Sequence, residues 1–110
     1  MAIGVAIVKR SGITPAGRVV IADVTFDSAY PAGGEPYTPA DFGLNTVDLL
    51  HCEAAFGSST TAYVVRADHA NKKLMLFNSN GAAPAALLET ATTNQAATVV
   101  RVMAFELPHV

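Results

Sequence analysis

His51, Cys52 and Glu53 stand side by side, three residue types that elsewhere hold metal ions or pair a thiol nucleophile with a base. Their spacing argues against both roles. Successive side chains of an extended strand leave opposite faces, so His51 and Glu53 share one side and Cys52 takes the other. The chain has one cysteine and three histidines. His69 follows Asp68 in a polar turn-like stretch and His109 follows Pro108, and neither spacing brings a second ligand to His51. These positions read as a buried thiol, a polar strand face and turn residues.

The carboxylates are no better placed for paired acid work. Asp23 and Asp27 lie four residues apart on one strand face, about 13 Å, where a retaining glycosidase needs about 5 Å. Ser58, Ser59, Thr60 and Thr61 lack the Gly-x-Ser-x-Gly context of a strained nucleophile turn. Gly33 and Gly34 fit neither glycine spacing of a phosphate-binding loop. We therefore assign no catalytic, cofactor-binding or metal-binding residue, and expect no enzyme and no cofactor.

The elements around these residues follow from hydrophobic periodicity. Val20, Ala22, Val24 and Phe26 alternate with Asp23, Thr25 and Asp27, which predicts a half-buried strand. Between Ser28 and Pro39 three prolines fix φ, and Gly33 and Gly34 make positive φ cheap, so an ordered loop is expected. Thr38, Pro39 and Asp41 then read as N-cap, first position and first-turn acid of a single helical turn that Gly43 stops. Tyr30, Pro31, Pro36, Tyr37 and Phe42 sit on or beside this stiff loop. Aromatics that lose little entropy on docking suit an interface anchor, and covering the end of a sandwich is the other use for them.

Further strands are expected at Asn45–Ala55, Thr61–Ala67, Lys72–Asn78 and Thr98–Leu107, and Ala85–Ala91 reads as a short strand or, given AALLE, a helical turn. Turns are expected at Phe56–Thr60, Asp68–Asn71 and Asn78–Pro84, the second closing a hairpin. Both faces of Thr98–Leu107 are largely apolar, as in a central strand of a two-layer structure. Short strands with turn clusters about every ten residues predict an all-β fold, a β-sandwich of jelly-roll type. Residues 1–17 form an N-terminal strand or arm, with Ile3, Val5 and Ile7 on one side, and residues 18–110 a single sandwich domain. Such an arm can add a strand to a neighbouring subunit.

Composition bounds the partners. Charged residues make up 15% of the 110 positions and hydrophobic ones 51%, so charge is too sparse to cover the surface and some of it is expected to be hidden by partners. A net charge of −2 offers no basic patch for nucleic acid, and no apolar run is long enough for a membrane-spanning helix. The short apolar N-terminal run has its basic residues after it, the reverse of a secretory signal. A lone cysteine forms no intrachain disulfide and suits assembly in a reducing cytoplasm.

The segments RVVIADV, TFDSAYPAGGEPYTPADFGL, TAYVVRADHANKKLMLF and ATVVRVMAFEL occur in an order that resembles the small β-rich decoration or cement proteins of tailed bacteriophage heads. The likeness covers about three-quarters of the chain. It implies a non-enzymatic virion protein, made in the host cytoplasm, that binds the major capsid protein on the outer surface of the head as a homotrimer. Two other roles fit less of the sequence. A tail or fibre-base protein would share the fold at another address, and a small carbohydrate-binding module normally displays aromatics on a concave face, whereas this chain has no Trp and 7% aromatics.

Overall fold

The computed structural model describes residues 3–12, 15, 17–58, 61–79, 87–90 and 95–108. Nine strands form within them: β1 (Gly4–Arg10), β2 (Arg18–Thr25), β3 (Glu35–Pro36), β4 (Leu49–Cys52), β5 (Ala55–Ser58), β6 (Thr61–Asp68), β7 (Lys73–Ser79), β8 (Leu87–Glu89) and β9 (Val99–Glu106). A single 3-10 turn covers Pro39–Phe42. The fold is all-β, with two antiparallel sheets. The front sheet runs β1-β2-β9, and the far edge of β9 is shared end to end by β4 and β5. In the second sheet β7 pairs with β6 along one edge, while β3 and β8 share the other.

Strand β6 joins the layers. Its first residues pair with β5 (Ala62 with Phe56, Tyr63 with Ala55), and from Val64 onward it pairs with β7. Period-2 alternation turns Val20, Ala22 and Val24 of β2 and Val100, Val102 and Ala104 of β9 inward, where they meet Leu74 and Leu76 of β7 and Leu50 of β4 in one core. Each of these side chains is almost fully removed from water, which contributes about 1.5–3 kcal/mol for a Val or Leu.

The structure revises two local expectations. The strand predicted across Asn45–Ala55 is confined to Leu49–Cys52, and a second begins at Ala55. Asn45 to Asp48 is instead coil, held because the Asn45 and Thr46 N–H groups donate to Glu106 Oε2 and Asp48 Oδ2 accepts from Leu107 N. Phe56–Ser58, expected in a turn, is strand; the register with β6 slips between Phe56 and Ser58, so Gly57 is absorbed as a bulge. Ser59 and Thr60 of that expected turn, Asn80–Pro84 of the next loop, and His109 lie outside the described residues.

The turn at Pro39–Phe42 forms as its residues require. Asp41 Oδ2 accepts from the Thr38 N–H at 2.8 Å, and Gly43 takes φ 69° to stop the turn. In the β6–β7 hairpin, Asp68 Oδ1 accepts from the N–H groups of Ala70 and Asn71. Lys72 carries the positive φ (57°) that returns the chain to β7. His69, on the same hairpin, reaches the front sheet. Its Nε2 accepts the Leu50 N–H at 3.1 Å, a donor that β9 does not use. Replacing His69 by Ala should cost about 1 kcal/mol in urea unfolding and speed exchange of the Leu50 amide. An unchanged amide would mean that water serves the same group.

Candidate interaction surface

The outward faces of β1, β2, β9 and β4 line up in rows set by the register. Val19 of β2 stands opposite Phe105 of β9, which stands opposite Leu49 of β4. In the next row Lys9, Ile21, Met103 and His51 cross the four strands. The third holds Ala6, Asp23, Arg101 and Glu53, the last fixed by its N–H on Arg101 O at 3.0 Å. A fourth carries Gly4, Thr25 and Val99. The two central strands thus present Val19, Ile21, Met103, Phe105 and Val99 outward. Val8 (50% exposed), thrown out where the β1–β2 register slips, and Leu49 (46%) flank them.

A cleft of about 220 Å³ opens on this face, floored by Val8, Ile21 and Met103 and bounded by Lys9, His51, Glu53 and Arg101. Arg101 Nε donates to Asp23 Oδ1 at 2.8 Å and its terminal nitrogen to Asp23 Oδ2 at 3.0 Å, a two-point pair across β2 and β9. The hydrogen bonds from Arg101 hold the Asp23 carboxyl below its ordinary range. At the sheet's end Arg18 places two guanidinium nitrogens on Glu106 Oε1.

The comparisons give this surface no precedent. The chain matches no protein-family model, no curated protein and no solved structure.

Of the residues singled out in the sequence, His51 and Glu53 lie on the front face, while Cys52 turns toward the core. Burial pushes the Cys52 thiol up to about 11, so it stays protonated and a poor nucleophile at neutral pH. Among the described residues no group of three or more His, Cys, Asp or Glu side chains is arranged to hold a metal ion.

The loop aromatics are a correction. Tyr30, Tyr37 and Phe42 are buried in the core, where Tyr30 packs at a tilt on Phe26 and Tyr37 edge-on against Phe42. They were candidate anchors for a partner, but the stiff loop folds inward, because three rings bury far more apolar area between the sheets than at the rim. Tyr30 also closes the loop. Its hydroxyl donates to Glu89 Oε2 at 2.7 Å and accepts from Leu76 N at 2.9 Å, while Gly33 N donates to Glu89. Pro31 and Pro36 remain exposed on the outside of this clasp. At the N-terminus Ile3 is buried and Val5 and Ile7 are half-buried against the core, because β1 pairs with β2 of its own chain.

The front face was missed although its signal is in the sequence. Apolar residues on both sides of Thr98–Leu107 read as a central strand of a two-layer structure. In the structure β9 is central within its sheet, yet the described residues supply a second layer on one side only. On the outward side of β2 and β9, Val19, Ile21, Val99, Met103 and Phe105 are therefore apolar and surround the Asp23–Arg101 pair.

Proposed function

We propose that this chain is a non-enzymatic virion structural protein, a decoration or cement protein that binds the outside of a phage head and stabilises the shell. The observation that supports this reading is the front sheet face, on which Val19, Ile21, Val99, Met103 and Phe105 lie outward on two adjacent central strands around the Asp23–Arg101 pair, with Val8 and Leu49 exposed beside them, as on a surface built to be covered. The sequence resemblance points to the same class of protein. The mechanism is mass action: a protein that binds the assembled shell and not its separated subunits stabilises the shell by the free energy of binding. Repetition over a lattice adds avidity to weak single contacts.

The exposed prolines of the 28–39 loop suit contact with the major capsid protein. Pro31 and Pro36 ride on a backbone clasped from beneath by Tyr30 and Glu89, so docking there costs little ordering entropy. The test is to mix the purified chain with expanded, emptied heads of the phage that encodes it. Saturable binding and a higher disruption temperature of the heads are the expected result. Heads that neither bind the chain nor gain stability would remove the decoration reading.

A further inference from the structure

We infer that the front face is covered by a second copy of this chain, packed sheet to sheet about a two-fold axis that runs along the strands between β2 and β9. This pairing rests on the reading of that face as a docking surface and names its occupant. The argument comes from the order of residues across the rows. A two-fold along the strands reverses each row and lays it on itself. The row Ala6, Asp23, Arg101, Glu53 then meets Glu53, Arg101, Asp23, Ala6. Each Asp23 faces the second copy's Arg101 and each Arg101 its Asp23, which makes a closed square of four alternating charges. Glu53 lies over the small Ala6.

The row above obeys the same operation. Ile21 lies over Met103 and Met103 over Ile21, with Lys9 and His51 meeting at the two ends. In the top row Val19 meets Phe105, and in the lowest Thr25 meets Val99. No row brings two like charges into direct opposition. The outward positions of β1 are small at Gly4 and Ala6, which lets a flat partner approach the edge.

Four strands spaced about 4.8 Å and four rows spaced about 6.8 Å give roughly 500 Å² per copy, so about 1,000 Å² in the pair, at the lower bound for a specific interface. Aligned packing of two sheets within about 30° is the common geometry for such faces. The self-complementarity specifies an isologous contact. The homotrimer implied by the resemblance requires two different patches to meet, and this face is matched to itself.

Light scattering on the full chain near 100 µM tests the inference. The expected mass is twice the 11.4 kDa of one chain. Met103→Glu should give a folded monomer, checked by circular dichroism. Asp23→Arg sets arginine against arginine across the axis and should weaken association at least tenfold. The double swap Asp23→Arg with Arg101→Asp should restore it, a rescue that loss of folding does not produce. A monomeric or trimeric wild type, or a Met103→Glu chain that stays dimeric, would overturn the pairing. Binding to empty heads separates the two proposals, since a monomer that still decorates heads sinks the dimer alone, and a dimer that ignores heads sinks decoration alone.

Discussion

Replacing Glu35 by Gln is expected to leave stability nearly unchanged at pH 4.5 and to raise it by about 3 kcal/mol at pH 8. Glu35 is 1% exposed at the start of β3, opposite Leu74 of β7. Burial pushes its carboxyl up to about 7 from an ordinary 4.5, and the charge of the neighbouring Asp27 carboxyl raises it further. Glu35 Oε1 and Asp27 Oδ2 are each buried without a hydrogen-bond partner. The sign follows from proton uptake. The folded chain holds the Glu35 proton more tightly than the unfolded chain, so the favourable contribution is complete below about pH 4.5. It is lost as pH rises through about 7. Glutamine keeps the shape and carries no ionisable proton, so urea midpoints of wild type should fall between pH 5 and 8 while those of the variant stay nearly flat. Parallel pH profiles for the two chains would show that Glu35 ionises in the fold without penalty.

The second large effect lies one residue earlier. Gly34→Ala is expected to cost about 3 kcal/mol or more, whereas Gly33→Ala should cost about 1 kcal/mol. Both glycines hold positive φ, 91° at Gly33 and 101° at Gly34, so both substitutions strain the backbone. Space separates them. A Cβ at Gly33 would meet only Lys73 Nζ at 3.9 Å, the far end of a flexible side chain. At Gly34 it would lie 2.5 Å from the Leu74 carbonyl oxygen and 2.9 Å from Met75 Cγ. Relief of that clash requires β3 to leave β7, and with it Glu35 and the Tyr37 N–H bond to Lys72 O. Thermal unfolding of the two variants under one set of conditions decides the matter, and equal losses would mean that φ alone sets the cost.

These two effects meet at one place in the fold. The loop between β2 and β3 is anchored by Tyr30 on Glu89, by Gly34 against β7 and by a buried acid beside Asp27. Its outer prolines are stiff because its inner side is so tightly held. If the chain decorates heads and pairs as proposed, loosening this loop by pH or by Gly34→Ala should weaken head binding before it affects pairing through the front face.

Much of the architecture could be read from residue order alone. Alternation at Val20–Phe26 set that strand and its inward residues, because a period of two has only two phases and polar Asp23 selects one, whereas Thr98–Leu107 showed a strand with both faces largely apolar. The prolines, Thr38, Asp41 and Gly43 set the loop and the turn after it, since their φ preferences act locally. The β6–β7 hairpin was equally visible in its Asp and Asn residues. That His51 and Glu53 share one face and Cys52 takes the other was also a local matter, since neighbouring side chains of a strand diverge.

Tertiary structure decided what local periodicity leaves open. An aromatic on a stiff loop satisfies its sequence equally well facing in or out, and only the gap between the sheets put Tyr30, Tyr37 and Phe42 inside. Glu35 carries no local mark of burial; pairing with β7 carried it there. A strand with two apolar faces looks the same whether covered by its own chain or by another. Where the second layer stops, and hence that Ile21, Met103 and Phe105 look outward, depends on contacts between strands more than fifty residues apart, which no short window of sequence encodes.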